Sequence, residues 1–463
     1  MKATRYKLYY PLENHEFLLI NTLTGALDIV EEDVIKYLES FDENSEEKNI
    51  SEDIFKALVT RGYLVKENQD VELLKKKVSF YEEANSLLSF TICPTYSCNL
   101  RCPYCFENNN IKNQEKVLNN TEIDKIFEAI NLIYKEKNVS KKRIQLFGGE
   151  PFQLKTKDAV EYIFKKAKEI DATVLAITNG TNVELFKDLL LENKERINYF
   201  QITLDGVKEL HDKSRISIDR KGSFDDICRN IELLLDLGIQ VVVRVNIGKA
   251  NIKSLKELID FYESKGWTKR KNFVCQLNPI TDHRSSGDVV NWMPENDVLR
   301  GINEEVGDIE YIRNKYNIVL GTEVDRRTKL LRSIWNRQNE KPSIISPCSC
   351  GAGSRIYYVF GADGKIYPCP ETVGEVKYSI GTYYPKFELD KKRDMQWKRN
   401  VTNIESCMEC SLAPLCGSAC TWSSVATNGI SFKKPVCNYA KETIDDYFEI
   451  NKKRICEALG RNY

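Results

Sequence analysis

Cys98, Cys102 and Cys105 stand in the stretch SCNLRCPYCFE at CxxxCxxC spacing. Each iron of a four-iron, four-sulfide cube normally takes one thiolate, so three cysteines leave one iron open to another ligand. Toward the carboxyl end Cys407, Cys410, Cys416 and Cys420 follow at CxxCxxxxxCxxxC spacing, with Cys348, Cys350 and Cys369 before them and Cys437 after. A zinc ribbon needs only four ligands, and this run exceeds it. The chain has fifteen cysteines, and it starts MKATRYKLYYPLENHEF, without the apolar core of an export signal. An odd count in a reducing compartment argues for ligation rather than disulfides. His15, His211 and His283 are isolated, which excludes zinc sites built on histidine pairs. Cys228, Cys275 and Cys456 fall in apolar or helical patterns and Cys93 ends an apolar strand, so these read as structural.

A scaffold has to bring such ligands together. From about residue 86 short apolar strands alternate with amphipathic helices: strands at Leu88 to Cys93, Arg143 to Phe147, Thr173 to Thr178, Phe200 to Leu204, Gln240 to Val245 and Phe273 to Leu277. Helical patterns lie between them at Thr121 to Lys137, Lys157 to Ile170, Val183 to Asn193, Phe224 to Leu237 and Ile252 to Lys265. That alternation predicts an α/β fold with a parallel sheet, and six strands would make an open, partial barrel. In parallel barrels the active site assembles from loops at the carboxyl ends of the strands. Those ends carry the three cysteines, then Gly148-Gly149-Glu150-Pro151, Thr178-Asn179-Gly180, Thr203-Leu204-Asp205-Gly206 and Arg244-Val245-Asn246. One rim thus gathers an open iron, glycines that admit a ligand to the backbone, a carboxylate, hydroxyls and amides.

The 463 residues imply more than one domain. Residues 1–85 read as a small winged-helix-like unit, with strands at Tyr6 to Pro11, Glu16 to Asn21 and Ala26 to Val30. Helices at Glu31 to Ser40 and Ser51 to Thr60 follow, then a strand at Tyr63 to Val65 and a charged helix from Val71. Residues 86–320 form the barrel, helical patterns continue to about residue 340, and residues 321–463 are the cysteine-rich domain. The 68 basic residues balance 68 acidic ones, which gives no support to a nucleic-acid or anionic-membrane surface. No apolar run reaches the length of a membrane span, and a soluble cytoplasmic protein is expected.

CNLRCPYC and LFGGEP resemble the cluster motif and the methionine-binding segment of the radical S-adenosylmethionine (SAM) enzymes, across most of residues 86–280. The resemblance implies that SAM chelates the open iron and that a 5'-deoxyadenosyl radical takes hydrogen from a substrate. It implies that Cys98, Cys102 and Cys105 bind the cluster and that Gly148, Gly149 and Glu150 hold the methionine end. Thr203 stands where related members place a ribose-binding Ser, and Arg215 matches the Arg that meets the SAM carboxylate. Thr178 and Asn179 are ribose or carboxylate contacts or turn residues, and Tyr104 packs on adenine or fills the barrel mouth.

The tail, including the turn Asp363-Gly364 before Cys369, resembles the SPASM extension, which carries two auxiliary 4Fe-4S clusters and brings the expected total to three. By family pattern Cys407, Cys410, Cys416 and Cys437 close one. Cys350, Cys369 and Cys420 hold the other, with Cys348 either its fourth ligand or a bystander beside an open iron. The amino-terminal unit resembles the recognition element of maturases of ribosomally made peptides, which adds a leader peptide as an extra strand. These resemblances imply an enzyme that joins a carbon of a precursor peptide to a cysteine sulfur as a thioether, fed by flavodoxin or ferredoxin. Carbon-carbon crosslinking, formylglycine formation and epimerisation are alternatives on the same scaffold. A non-catalytic iron-sulfur module for peptide binding or electron transfer is an alternative of another class.

Overall fold

The computed structural model describes residues 1–40, 50–84, 87–107, 114–137, 139–284, 286–335, 345–429, 434–437 and 439–460. They divide into two compact units: Met1–Ala84 with Thr322–Gly353 and Arg399–Tyr463, and Asn85–Gly321 with Ser354–Lys398. The stretch 321–463, grouped as one domain in the sequence, contributes to both.

In the first unit the strands are β1 (Lys2–Ala3), β2 (Lys7–Pro11), β3 (Glu16–Asn21), β4 (Leu27–Glu31) and β5 (Leu64–Val65). β2, β3 and β4 form an antiparallel meander and β1 pairs with β5. Asn14 and His15 take left-handed φ values of 55° and 61° in the turn after β2, a region that Asn and His enter more readily than most residues. Helix Glu52–Thr60 begins where Ser51 Oγ accepts the Ile54 amide and gives way to Gly62 at φ 78°. One apolar core lies between β3 and the helices, with Leu19, Val34, Ile35, Leu38 and Leu58. A second joins Tyr6, Leu23, Leu74 and Val78 to Ile345, Val401, Ile404, Cys407 and Ala413 of the cysteine-rich tail. Tyr6 donates to the Met408 carbonyl at 2.7 Å, and Tyr10 stacks on Phe448 with ring centroids 4.3 Å apart. The amino-terminal module and the tail therefore share an interior.

The second unit is built on β6 (Leu87–Ile92), β7 (Lys141–Leu146), β8 (Thr173–Thr178), β9 (Ile197–Thr203), β10 (Val241–Ile247), β11 (Phe273–Pro279), β12 (Ile318–Leu320), β13 (Tyr357–Phe360), β14 (Lys365–Tyr367), β15 (Gly381–Thr382) and β16 (Glu388–Leu389). β6 to β12 run parallel in chain order, and β13 pairs parallel to β6 on its other side. β14 to β16 extend that edge antiparallel, so the sheet is open. All six expected strands are present within a few residues. β12 and β13 lie outside the expected set: β12 has three residues, and β13 finds its parallel partner far away in the chain. Leu88, Phe90 and Ile92 are wholly buried, and so nearly are Ser89 and Thr91 between them, the mark of a parallel strand covered on both faces. Helices Asn120–Lys135, Lys157–Glu169, Phe224–Asp236 and Leu255–Ser264 connect the strands, the first closed by a reciprocal cap between Asn119 and Glu122. Helices Glu295–Val306, Ile309–Tyr316 and Thr322–Arg332 follow; the expected helical pattern at residues 336–340 lies outside the described residues. No described helix is long and apolar enough to cross a membrane.

Candidate functional site

At the carboxyl ends of β6 to β9 an open cleft is lined by Cys98, Cys102 and Cys105 together with Tyr104, Gly149, Thr178, Asn179, Thr203 and Arg215. Of the residues expected to hold the cluster or SAM, all but Gly148 and Glu150 line it, whereas Asp205 and Asn246 of the expected rim line a different cleft. Gly148 and Glu150 are buried behind the cleft rather than in its wall.

Gly149 shows why the turn after β7 needs glycine. Its φ is 49°, and a Cβ there would lie 2.3 Å from the Ser97 carbonyl oxygen and 2.5 Å from that of Tyr96. Only a bare backbone lets the β7 turn lie against the segment leading into the cysteines. Its amide donates to both oxygens of Glu107, at 3.0 and 3.1 Å, so this N–H already faces an anionic acceptor. A Cβ on Gly148 would meet Cys93 Cβ and Sγ at 2.6 Å, which explains Cys93 as a packing residue.

Glu150 ties the loops together. Its carboxylate accepts from Thr178 Oγ1 at 2.5 Å, the Asn179 amide at 2.6 Å and the Phe152 amide at 2.8 Å, while its own amide donates to Ser97 O at 2.9 Å. Burial pushes its pKa up to about 7 despite these donors. Asn179 Nδ2 donates to Asn99 Oδ1 at 2.7 Å and its Oδ1 accepts from Thr181, linking the β8 turn to the cysteine loop.

Tyr104, between two of the cysteines, is held by its hydroxyl. It donates to Asp205 Oδ2, and Arg215 Nη1 donates to it at 2.7 Å. Asp205, which follows Thr203 after β9, accepts from the Asn246 amide at 2.9 Å and from Asn246 Nδ2 at 3.1 Å. Its own amide donates to His211 Nδ1; burial holds His211 neutral, so its proton sits on Nε2 toward Ser223 Oγ. Asp205 is an anchor to which the sequence assigns no role, because its partners Tyr104 and Asn246 are remote in the chain. Tyr104 and Asp205 also line a second cleft, with Asn246, Asn251 and Asn291.

In the first unit the thiols of Cys407, Cys410, Cys416 and Cys437 act on one another. Cys407 is pushed up to about 12 by burial first, then by Cys416 and Cys437, while Arg399 pulls it down. Cys350 and Cys420 are raised chiefly by burial, and Cys350 also feels Cys420. Cys369 lies in the other unit, just after β14 and the expected turn, where Gly364 has φ 84° and Asp363 accepts from Tyr367 at 2.6 Å. Cys348 Sγ donates to the Arg399 carbonyl at 2.9 Å. Cys228, Cys275 and Cys456 are buried.

Among the described residues no three Cys, His, Asp or Glu side chains converge on a single ion. A cube spreads its thiolates over separate irons and does not require such convergence. The barrel cleft fits a cluster with a bound amino acid: it offers thiols and a buried guanidinium whose Nε has no hydrogen-bond partner, beside a Gly149 amide that donates to Glu107.

Residues 92–262 match the radical SAM superfamily model. A cysteine-type anaerobic sulfatase-maturating enzyme of Clostridium novyi (strain NT) is 27% identical over 356 residues, 72% of this chain and 87% of that protein. The structure of anSMEcpe with bound AdoMet and Kp18Cys peptide covers 81% of this chain and 99% of its own at 18% identity, with a TM-score of 0.60. Streptococcus suis SuiB bound to precursor peptide SuiA covers 93% and 97% at 16% identity, with a TM-score of 0.52. These two structures share the fold. The chain carries a radical SAM domain over residues 92–262.

Proposed function

We propose that this chain is a radical SAM enzyme that modifies a ribosomally made precursor peptide by joining one of its carbons to a cysteine sulfur. The observation that carries the radical chemistry is the single cleft holding Cys98, Cys102, Cys105, Gly149 and Arg215. When bound, the cluster and SAM supply a carbon radical that removes hydrogen from the substrate.

The chain's own residues position those groups. Arg215 offers Nε to a carboxylate and Thr203 places a hydroxyl on the wall, while the Gly149 amide would have to exchange Glu107 for a ligand. Tyr104, fixed by Asp205 and Arg215, lines both clefts and ties the cysteine loop to the β9 turn. Cys407, Cys410, Cys416 and Cys437, and Cys350, Cys369 and Cys420, would hold two further clusters, which would supply an electron acceptor or a site for a thiolate. Cys348 Sγ lies 2.9 Å from the Arg399 carbonyl, and it would have to exchange that contact to ligate iron. The amino-terminal meander offers strand edges of the kind that a leader extends. A neighbour of the same fold bound to a precursor peptide supports a peptide substrate.

A second reading, oxidation of a cysteine or serine to formylglycine, is favoured by the sulfatase-maturating relative. Anaerobic co-expression with a candidate cysteine-bearing precursor, followed by mass spectrometry, separates the two. Thioether formation removes two hydrogens and one alkylatable thiol and leaves the sulfur in the peptide. Formylglycine made from cysteine loses the sulfur, and that mass change, or an unaltered peptide, would overturn the thioether.

A further inference from the structure

The segment between Cys416 and Cys420 has an unusual backbone. Gly417, Ser418 and Ala419 all have left-handed φ values, 71°, 69° and 58°. The two non-glycines sit in a region that side chains disfavour, so neighbours must hold the loop in place. Two do: Ser349 Oγ donates to the Ala419 carbonyl at 2.6 Å, and the Arg399 Nε and Nη2 both donate to the Ser418 carbonyl, at 3.2 and 3.1 Å. The turn separates two sets of thiols, since Cys416 acts on Cys407, Cys410 and Cys437, whereas Cys420 acts on Cys350. Arg399 is wholly buried at this turn; burial pulls its pKa down, and Cys407, Cys420, Cys437 and Cys416, when they are thiolates, push it back up.

We infer that Arg399 is a positioning residue that also acts through its charge. It clamps the Cys416–Cys420 turn and, as a buried cation near Cys407, Cys437 and Cys416 as well as Cys420, raises the reduction potential of the cluster that Cys407, Cys416 and Cys437 hold. The inference rests on the tail cysteines binding a cluster. Four thiolates on a cube leave a net negative group, and one-electron reduction adds a further negative charge. A fixed cation in a poorly solvated site favours the reduced form, because net charge and exposure set cluster potentials. The planar guanidinium grips one carbonyl with two N–H groups while keeping its charge, whereas lysine would keep the charge and lose the fork.

The test uses the full chain, reconstituted anaerobically, with Arg399→Gln and Arg399→Lys, reading iron content and the midpoint potentials by electron paramagnetic resonance during a redox titration. At a fixed potential the reduced-to-oxidised ratio of the tail cluster should fall at least tenfold in Arg399→Gln, about 59 mV for a one-electron couple. Arg399→Lys should stay within threefold of the unaltered chain. Retained iron with an unmoved potential in Arg399→Gln would overturn the inference, and loss of the tail irons in both variants would show a packing role only and overturn the charge assignment. If the unaltered chain binds iron at Cys98, Cys102 and Cys105 but none at Cys407, Cys410, Cys416 and Cys437, the cluster reading itself falls, and the inference with it.

Discussion

Glu150 commits its carboxylate to the barrel rather than to a ligand. Three donors converge on it, from Thr178, Asn179 and Phe152, yet burial still lifts its pKa from 4.5 to about 7. The folded chain therefore holds a proton that the unfolded chain gives up, and stability falls as pH rises from about 4.5 to 7. The contribution is fully present below the unfolded value and gone above the folded one. Denaturant unfolding at a series of pH values should show this slope, and Glu150→Gln should flatten it. The same variant should keep its iron but bind SAM more weakly, because the turn after β8 is released. A slope that survives the substitution would assign the proton elsewhere.

At the scale of elements, the turns after β7 and β8 are set by how closely backbones approach. Gly149→Ala combines a left-handed φ with carbonyl oxygens at 2.3 and 2.5 Å, neither of which belongs to a movable side chain. Gly238 has φ 79°, and nothing lies within 4 Å of where its Cβ would sit, so Gly238→Ala carries only the φ cost, about 1–2 kcal/mol. Isothermal titration should find SAM affinity reduced at least tenfold in Gly149→Ala and unchanged in Gly238→Ala; equal affinities would mean that the β7 turn can shift without cost to the cleft. The strands that carry these turns were legible because burial on both faces leaves continuous apolar runs bounded by turn residues. β13 leaves no such trace in the sequence, since its partner β6 lies more than two hundred residues earlier. The same holds for Asp205, plain in the run Thr203-Leu204-Asp205-Gly206, whose importance comes from Tyr104 and Asn246.

For the whole molecule, the amino-terminal module is not a detachable appendage. Tyr6, Leu23, Leu74 and Val78 pack with Val401, Ile404 and Cys407, and Tyr10 donates to Asp445 at 2.9 Å in addition to stacking on Phe448. Removing residues 1–84 would strip apolar cover from a cysteine expected to bind a cluster. Iron analysis of the truncated chain should show about four fewer irons than the intact chain, the content of one cube. A truncated chain with full iron content would show that the tail folds without the module, and only then would lost peptide modification report on recognition alone.

That shared interior also fixes an order of events during synthesis. Tyr6 and Leu74 are made early, but Val401 and Ile404, against which they pack, leave the ribosome more than three hundred residues later. At about 5–20 residues per second the wait is on the order of tens of seconds. Throughout it the module's back face is open to solvent and to chaperones, and a nascent chain stalled before residue 401 should remain bound by them.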